Sequence, residues 1–383
     1  MFLPFAHFQI PKTKPIVDSG FPVSEANWAV YAMALSGNKI FIAGAFTSIG
    51  GVSRNKIAAL DSNSGEILPL FQGLQGANGT VTAMIVVGSM LVIGGSFTSV
   101  NGVARNGIAA LDLSNANVLP WYPNGGIAGG SLTVNDFCVK NNSLYLCGNF
   151  TSIGGVSRNG IAALDVTTAG VLSWYPNGGV LGGEGYRLLL SSDTNKVYIG
   201  GSFTQIGGVG REKIAAFDAS TGSVIGTWGP TSPPAGAGAS PHVKDMVQIG
   251  NTLFIGGAFG VISGQGRLGF AALNANTGTL LDLYPTNLGG DAVKPNIMTF
   301  ASKNNQLHFA GFFSSVGGET RLSIACLDAV TMQVLPWYPP SGVGNLTSKV
   351  SKGFSFLDNT WWLNGNFQSM GGITCNNLVK LNL

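Results

Sequence analysis

The chain has 383 residues and a formal net charge of +3, with only 10% of its residues charged, against roughly 25% in an average soluble protein. No Lys/Arg run reaches the length a nucleic-acid or membrane-surface patch requires, and no apolar run reaches about 18 residues, so neither a nucleic-acid partner nor membrane insertion is expected. Glycine is abundant at 57 copies, but β-branched and aromatic residues are too plentiful for disorder, and the composition is that of many short strands joined by tight turns.

Residues 1–14 stand apart. Phe2, Leu3, Phe5, Phe8 and Ile10 form an apolar arm ahead of a Pro11-Lys12-Thr13-Lys14-Pro15 hinge. The start has neither a basic leader nor a small-residue cleavage site, so no secretory signal is read there. The expected location is the cytoplasm, or the outside after lysis, as for virion components. An apolar arm beyond a folded domain must cover that domain's wall or a partner, and an assembly contact is expected.

Residues 15–383 read as a single domain built on one repeat. The phrase AGAFTSIGGVSRNKIAALD recurs as GGSFTSVNGVARNGIAALD, CGNFTSIGGVSRNGIAALD and GGSFTQIGGVGREKIAAFD, followed by three weaker copies. Its landmark aromatics are Phe46, Phe97, Phe150, Phe203, Phe259, Phe313 and Phe367. Besides this Phe, the Gly two before it (Gly44 through Gly365) and the Gly five after it (Gly51 through Gly372) never vary between the copies. Glycine persists where the backbone takes φ > 0 or approaches another chain closely.

In the second copy four strands are predicted, over 81–87, 91–97, 107–113 and 117–122. Gly-Ser, Gly-Asn or Asn-Asn turns separate the first two, and an Asx-led turn such as 218–222 the last two. A four-stranded antiparallel unit of about 50 residues, repeated, is the sign of a propeller blade, and seven copies predict an all-β, seven-bladed β-propeller. A solenoid would need polar capping repeats, and neither end reads as one. The last copy stops after its third strand, while Val17–Pro22 aligns with the fourth strand of other copies, for example 118–123. The N-terminal strand is therefore expected to complete the C-terminal blade and close the ring.

The GGxFTSIGGVxRNxIAALD phrase resembles the Delta-60 family of bacterial β-propeller repeats, over nearly the whole chain from about residue 15. The first four copies carry the resemblance most fully; the seventh departs where Cys375 replaces Arg and Lys380 replaces Ala. It implies the propeller fold and little about function, since propellers host unrelated roles. The stretch from Leu164 to Trp174 is similar to quinoprotein blades, but the acidic calcium ligands of such a cofactor pocket are not found, and no cofactor or metal is expected.

Six arginines recur eight residues after their Phe: Arg54, Arg105, Arg158, Arg211, Arg267 and Arg321. A rim of guanidinium groups could hold carboxylates or phosphates bidentately. The competing reading, which is preferred, is that each ties its own loop to backbone carbonyls or to the neighbouring blade. Trp-Tyr-Pro triplets bring Tyr122, Tyr175 and Tyr338 to Gly-rich interblade loops, where an aromatic can stack on a sugar ring, while Trp121, Trp174 and Trp337 are expected to pack between blades. The repeated Asp61, Asp112, Asp165, Asp218, Asn274, Asp328 and Asn382 read as turn formers rather than metal ligands. His7, His242 and His308 share no repeat position, and His308 is expected to be packed. Cys138 and Cys147 should lie diagonally across one hairpin, as free thiols rather than a disulfide.

Three functions follow in order of preference. The first is a non-catalytic structural or interaction module, a virion (phage capsid or tail) or cell-surface component that contacts other proteins of an assembly. The second is a glycan-binding module using the Arg and Tyr rim. The third is a hydrolase or lyase at the central channel, for which acids are sparse: Glu25, Glu184, Asp245 and Asp291.

Overall fold

The computed structural model describes residues 16–17, 26–236, 240–290, 294–339, 341–344, 354–357 and 360–382. The apolar arm lies outside the described residues, as do Glu25 and Asp291. The described chain is all-β apart from one 3-10 turn at Pro69–Phe71. No described helix is long and apolar enough to cross a membrane.

Each repeat forms one antiparallel sheet with its inner, middle and outer strands in chain order. Sheet I is Val30–Ser36, Lys39–Gly44 and Ile57–Asp61. Sheet II is Val81–Val87, Met90–Gly95 and Ile108–Asp112. Sheet III is Thr133–Lys140, Ser143–Asn149 and Ile161–Asp165. Sheet IV is Gly185–Leu190, Lys196–Gly201 and Ile214–Asp218. Sheet V is His242–Ile249, Thr252–Ala258 and Phe270–Asn274. Sheet VI is Asn296–Lys303, Gln306–Phe312 and Ile324–Asp328. Sheet VII is Phe354–Leu357, Thr360–Asn364 and Leu378–Asn382, with Ile16–Val17 paired to its outer strand.

Middle and outer strands are apolar at nearly every position, because both faces of each sheet are covered by the sheets beside it. The inner strands are neighbours in chain order from sheet I to sheet VI, and Phe354–Leu357 lies against the inner strands of both sheet VI and sheet I. Trp362 and Leu378 of sheet VII are buried in one apolar cluster with Ile40, Ile42 and Leu60 of sheet I. Asn364 Nδ2 donates to the Val30 carbonyl at 2.9 Å, and Lys380 Nζ to the Asn63 carbonyl at 2.7 Å.

The fourth strand differs from expectation. In sheet II it shrinks to a single bridge, Leu111 opposite Val118, with Leu119 N–H donating to the Ala110 carbonyl at 2.8 Å. The same bridge recurs at Ile67, Val171, Val224, Leu280 and Val334. Two residues later the chain turns away to reach the next sheet, which ends the pairing. The supposed loop between middle and outer strands is itself structured: Ser48–Ile49 and Val52–Ser53 form a two-residue hairpin, repeated in most copies.

The invariant glycines have two separate causes. Sheets I to VI each carry a register shift near the start of the inner strand, as at Val30/Ala32, and the strand backbone crowds the facing Gly. A Cβ on Gly44 would overlap the Ala29 carbonyl oxygen, and one on Gly95 that of Thr80. Gly51, by contrast, closes the small hairpin at φ +75° with open space around it. The first glycine is needed for room and the second for its backbone angle.

Candidate functional site

The arginine rim sits at the small hairpins, and its guanidinium groups turn inward to backbone. Arg105 donates to the Ala104 carbonyl at 2.9 Å and to the Leu119 carbonyl at 2.9 Å. Arg158 repeats this with Ser157 and Leu172, both at 2.9 Å. Arg54 bonds the carbonyls of Ser53 and Leu68, and Arg211 that of Gly226. Arg267 adds Asp282 at 3.2 Å, and Arg321 pairs with Glu319. Five of the six reach the segment that leaves the sheet's outer edge, at Leu68, Leu119, Leu172, Gly226 and Asp282, while Arg321 bonds within its own hairpin, at Thr320 and Glu319.

Tyr122 and Tyr175 complete the same clasp. The guanidinium carbon of Arg105 lies 4.6 Å from the centroid of the Tyr122 ring, and that of Arg158 4.6 Å from Tyr175. The Tyr122 hydroxyl accepts from Asn106 N–H at 3.0 Å, and Tyr175 from Asn159 N–H at 3.0 Å. Tyr338 stands likewise under Arg321 at 4.8 Å and accepts from Leu322 N–H. Tyr284 is a fourth member, 5.0 Å from Arg267, that the sequence reading passed over. Its signal was present: the residue seventeen after each arginine is aromatic in all six copies, Phe71, Tyr122, Tyr175, Trp228, Tyr284 and Tyr338. Trp121, Trp174 and Trp337 are buried between sheets, and Trp174 Nε1 donates to the Asp218 carbonyl at 3.1 Å.

At the opposite ends of the sheets the Asx residues make turns. Asp165 Oδ1 accepts the N–H groups of Thr167 and Thr168 at 2.9 and 2.7 Å, and Asp61, Asp218 and Asp328 behave alike. Hydrogen bonds led by the Thr168 N–H hold the Asp165 carboxyl below its ordinary range, as the Thr221 N–H does for Asp218. No cluster of three His, Cys, Asp or Glu groups fit for a metal ion occurs among the described residues.

One charged group is shared between inner strands, and the sequence reading did not assemble it. Arg187 Nε lies 2.8 Å from Asp245 Oδ1 and its NH1 lies 3.4 Å from Asp136 Oδ2, so three successive sheets meet in one ion network. Asp136 also accepts the Leu188 N–H at 2.8 Å, and Asp245 those of Met246 and Phe300 at 2.8 and 2.7 Å. Burial alone would depress the guanidinium's pKa, but Asp245 and Asp136 outweigh it and hold the group more firmly charged. The inner-strand position that follows the register shift reads Ala32, Ala83, Asp136, Arg187, Asp245 and Thr299, so the change from Ala to three successive charged residues at one repeat position was the missed signal. Nearby, Glu184 accepts from Asn135 and Asn149 at 3.1 and 2.7 Å, and His242 and Lys244 both contact the Tyr186 ring.

His308 is fully buried, 3.3 Å through Nε2 from Cys326 Sγ and packed on Trp337 and Trp361. Burial pushes its pKa well below 6.5, so it is a neutral packed side chain. All four cysteines are unbridged, and burial raises the Cys326 thiol.

Residues 37–64 and 89–113, in the first two repeats, match a family described as a domain of unknown function (DUF5122) beta-propeller. No curated protein matches the chain. Among solved structures, the computationally designed Ika8 protein is similar at a TM-score of 0.53 and 14% identity, covering 94% of this chain and 98% of that one. A chain of the Mitotic Checkpoint Complex is similar at 0.54 and 15%, covering 100% and 99%. Likeness at this identity is one of fold alone. The chain is an all-β protein of propeller-like fold, and segments of its first two repeats are similar to a β-propeller family.

Proposed function

We propose that the chain is a seven-bladed propeller, closed where the N-terminal strand completes the C-terminal blade, that works as a non-catalytic structural or interaction module. The closure is supported by the pairing of Ile16 with Asn382 and Val17 with Leu381, and by the contacts of sheet VII with both sheet VI and sheet I. In this reading the fourth strand of each blade is the short outer bridge. The repeats belong with the Delta-60 type. The observation that carries the non-catalytic reading is the engagement of all six repeated arginines with the chain's own carbonyls or carboxylates. The repeat is spent on holding blades together.

The partners in this reading are other proteins of an assembly, a virion or a cell surface, met through the apolar arm Phe2, Leu3, Phe5, Phe8 and Ile10. Deleting residues 1–14 should leave the thermal midpoint of the purified protein unchanged and abolish its co-purification with that assembly. Co-purification that survives the deletion refutes the arm's role.

A glycan-binding role is a second reading, favoured by Trp28. Its indole is 65% exposed, while the equivalent residue of the next repeat is Gly79. An exposed ring outside the repeat pattern is a platform for a sugar face. Binding on a glycan array that Trp28→Ala abolishes supports it, and an array without signal removes it.

A further inference from the structure

Seven Asn-Gly pairs occur in the sequence, and the fold treats them differently. Asn-Gly is the pair most open to spontaneous deamidation, because glycine leaves its own backbone nitrogen unhindered beside the amide. The reaction needs that nitrogen free of a hydrogen bond and the Asn side chain free to swing onto it.

Five pairs are held. Asn78 bonds Thr98 and Ser99, and Asn101 is fixed between the Gly76 N–H and the Ala116 carbonyl. Asn364 is buried against the Val30 carbonyl, and Gly365 N–H is donated to Asn377. After Asn106 and Asn159 the glycines are buried, and Gly107 and Gly160 N–H are donated at 2.9 Å to the carbonyls of Phe97 and Phe150.

Asn124 and Asn177 are different. Both are exposed, at the tips of the loops that follow Tyr122-Pro123 and Tyr175-Pro176. Each loop is a turn closed by its last glycine, Gly126 N–H on the Pro123 carbonyl and Gly179 N–H on that of Pro176, and Asn106 Nδ2 also donates to the Gly125 carbonyl at 3.3 Å. Among the described residues, the Gly125 and Gly178 N–H groups and the two Asn side chains find no hydrogen-bond partner. Gly125 takes φ +84° and Gly178 φ +94°, left-handed turn positions that leave the backbone nitrogen outside the turn's hydrogen bonding.

We propose that Asn124 and Asn177 are the chain's deamidation sites, two rim positions where the folded protein gains negative charge with age. The Gly125 nitrogen attacks Asn124 Cγ, the new C–N bond closes a succinimide, and Nδ2 leaves as ammonia with the backbone proton. Water then opens either carbonyl, giving Asp or isoaspartate. The same steps hold at Asn177. Both events together lower the formal charge from +3 to +1. The isoaspartate form adds a backbone methylene inside the turn and displaces Gly126, whose carbonyl receives Gly154 N–H at 2.9 Å.

The test is incubation of the full-length protein at mildly alkaline pH, followed by proteolysis and mass spectrometry that separates Asp from isoaspartate. Modification at Asn124 and Asn177 should exceed that at each of the other five sites by at least about tenfold, since those must first open locally. In urea all seven should react at comparable rates, which shows that the fold makes the selection. Asn124→Thr, the residue at the matching Thr286 of a later loop, should abolish the first site and leave the second. Equal modification across all seven sites in the folded protein, or modification led by Asn106 and Asn159, overturns the proposal.

Discussion

Replacing Asp245 with Ala probes the ion network between sheets III, IV and V. The Asp245 side chain is 3% exposed and the Asp136 side chain 9%, while Arg187 retains 28%. Removing one member of a buried pair costs about 3–5 kcal/mol, most of it from groups left without partners. Here those are the N–H groups of Met246 and Phe300 and half of the Arg187 charge. Arg187 keeps Asp136 and some solvent, so a cost near the lower end, about 3 kcal/mol, is expected for Asp245→Ala. The triple change of Asp136, Arg187 and Asp245 to Ala restores the pattern already used at Ala32 and Ala83. It should cost at least about 2 kcal/mol less than the sum of the three single changes, because contacting charges couple. Urea unfolding at neutral pH, followed by tryptophan fluorescence, measures both quantities. Additive costs, or a loss below about 1 kcal/mol for Asp245→Ala, would refute the network as a joint between sheets.

Three further outcomes follow. Gly51→Ala should cost about 1 kcal/mol, since only the backbone angle suffers, whereas Gly44→Ala should prevent soluble expression because its Cβ meets the Ala29 carbonyl; similar effects from the two contradict the separate causes. Tyr175→Phe removes the acceptor of Asn159 N–H and should lower stability by about 1–2 kcal/mol, and an unchanged denaturation midpoint counts against the clasp. His308 has a folded pKa below 6.5, so the unfolded chain takes up its proton first; the stability this provides is complete above that value and is lost as pH falls below it. Thermal melts should therefore show a midpoint that declines below about pH 6.5, with a shallower decline in His308→Phe.

Much of the architecture is legible in the sequence because the repeat makes seven independent statements of it. The Phe landmarks, the paired glycines and the Asx turns each mark a local geometry, and the inner strand 81–87 was predicted at its observed bounds. The fourth strand was overcalled, since a β-rich composition such as 117–122 does not reveal that the chain must turn away after one bridge. The small hairpins were read as loops because two-residue strands carry no periodicity to detect. At the candidate site, the tie between each arginine and its loop is the reading the repeat favours, but Tyr284 escapes it where Leu283 stands in place of the usual Trp. The Asp136–Arg187–Asp245 network stayed hidden because its members lie about fifty residues apart and join only when sheets stack. Sequence reading finds what each repeat says by itself; contacts made between repeats need the three-dimensional arrangement.

The claim that the two ends of the chain share one sheet is tested most directly by a cross-link. Val17 faces Leu381 across the outermost strands of sheet VII. Directly opposed antiparallel residues stand at Cα separations of about 4.5–5.5 Å, within reach of a disulfide. Val17→Cys with Leu381→Cys should oxidise within a single chain to one mapped disulfide and raise the thermal midpoint, because the bond closes a loop of nearly the whole chain. A pair that stays reduced, or that links only separate molecules, would contradict the proposed closure of the ring.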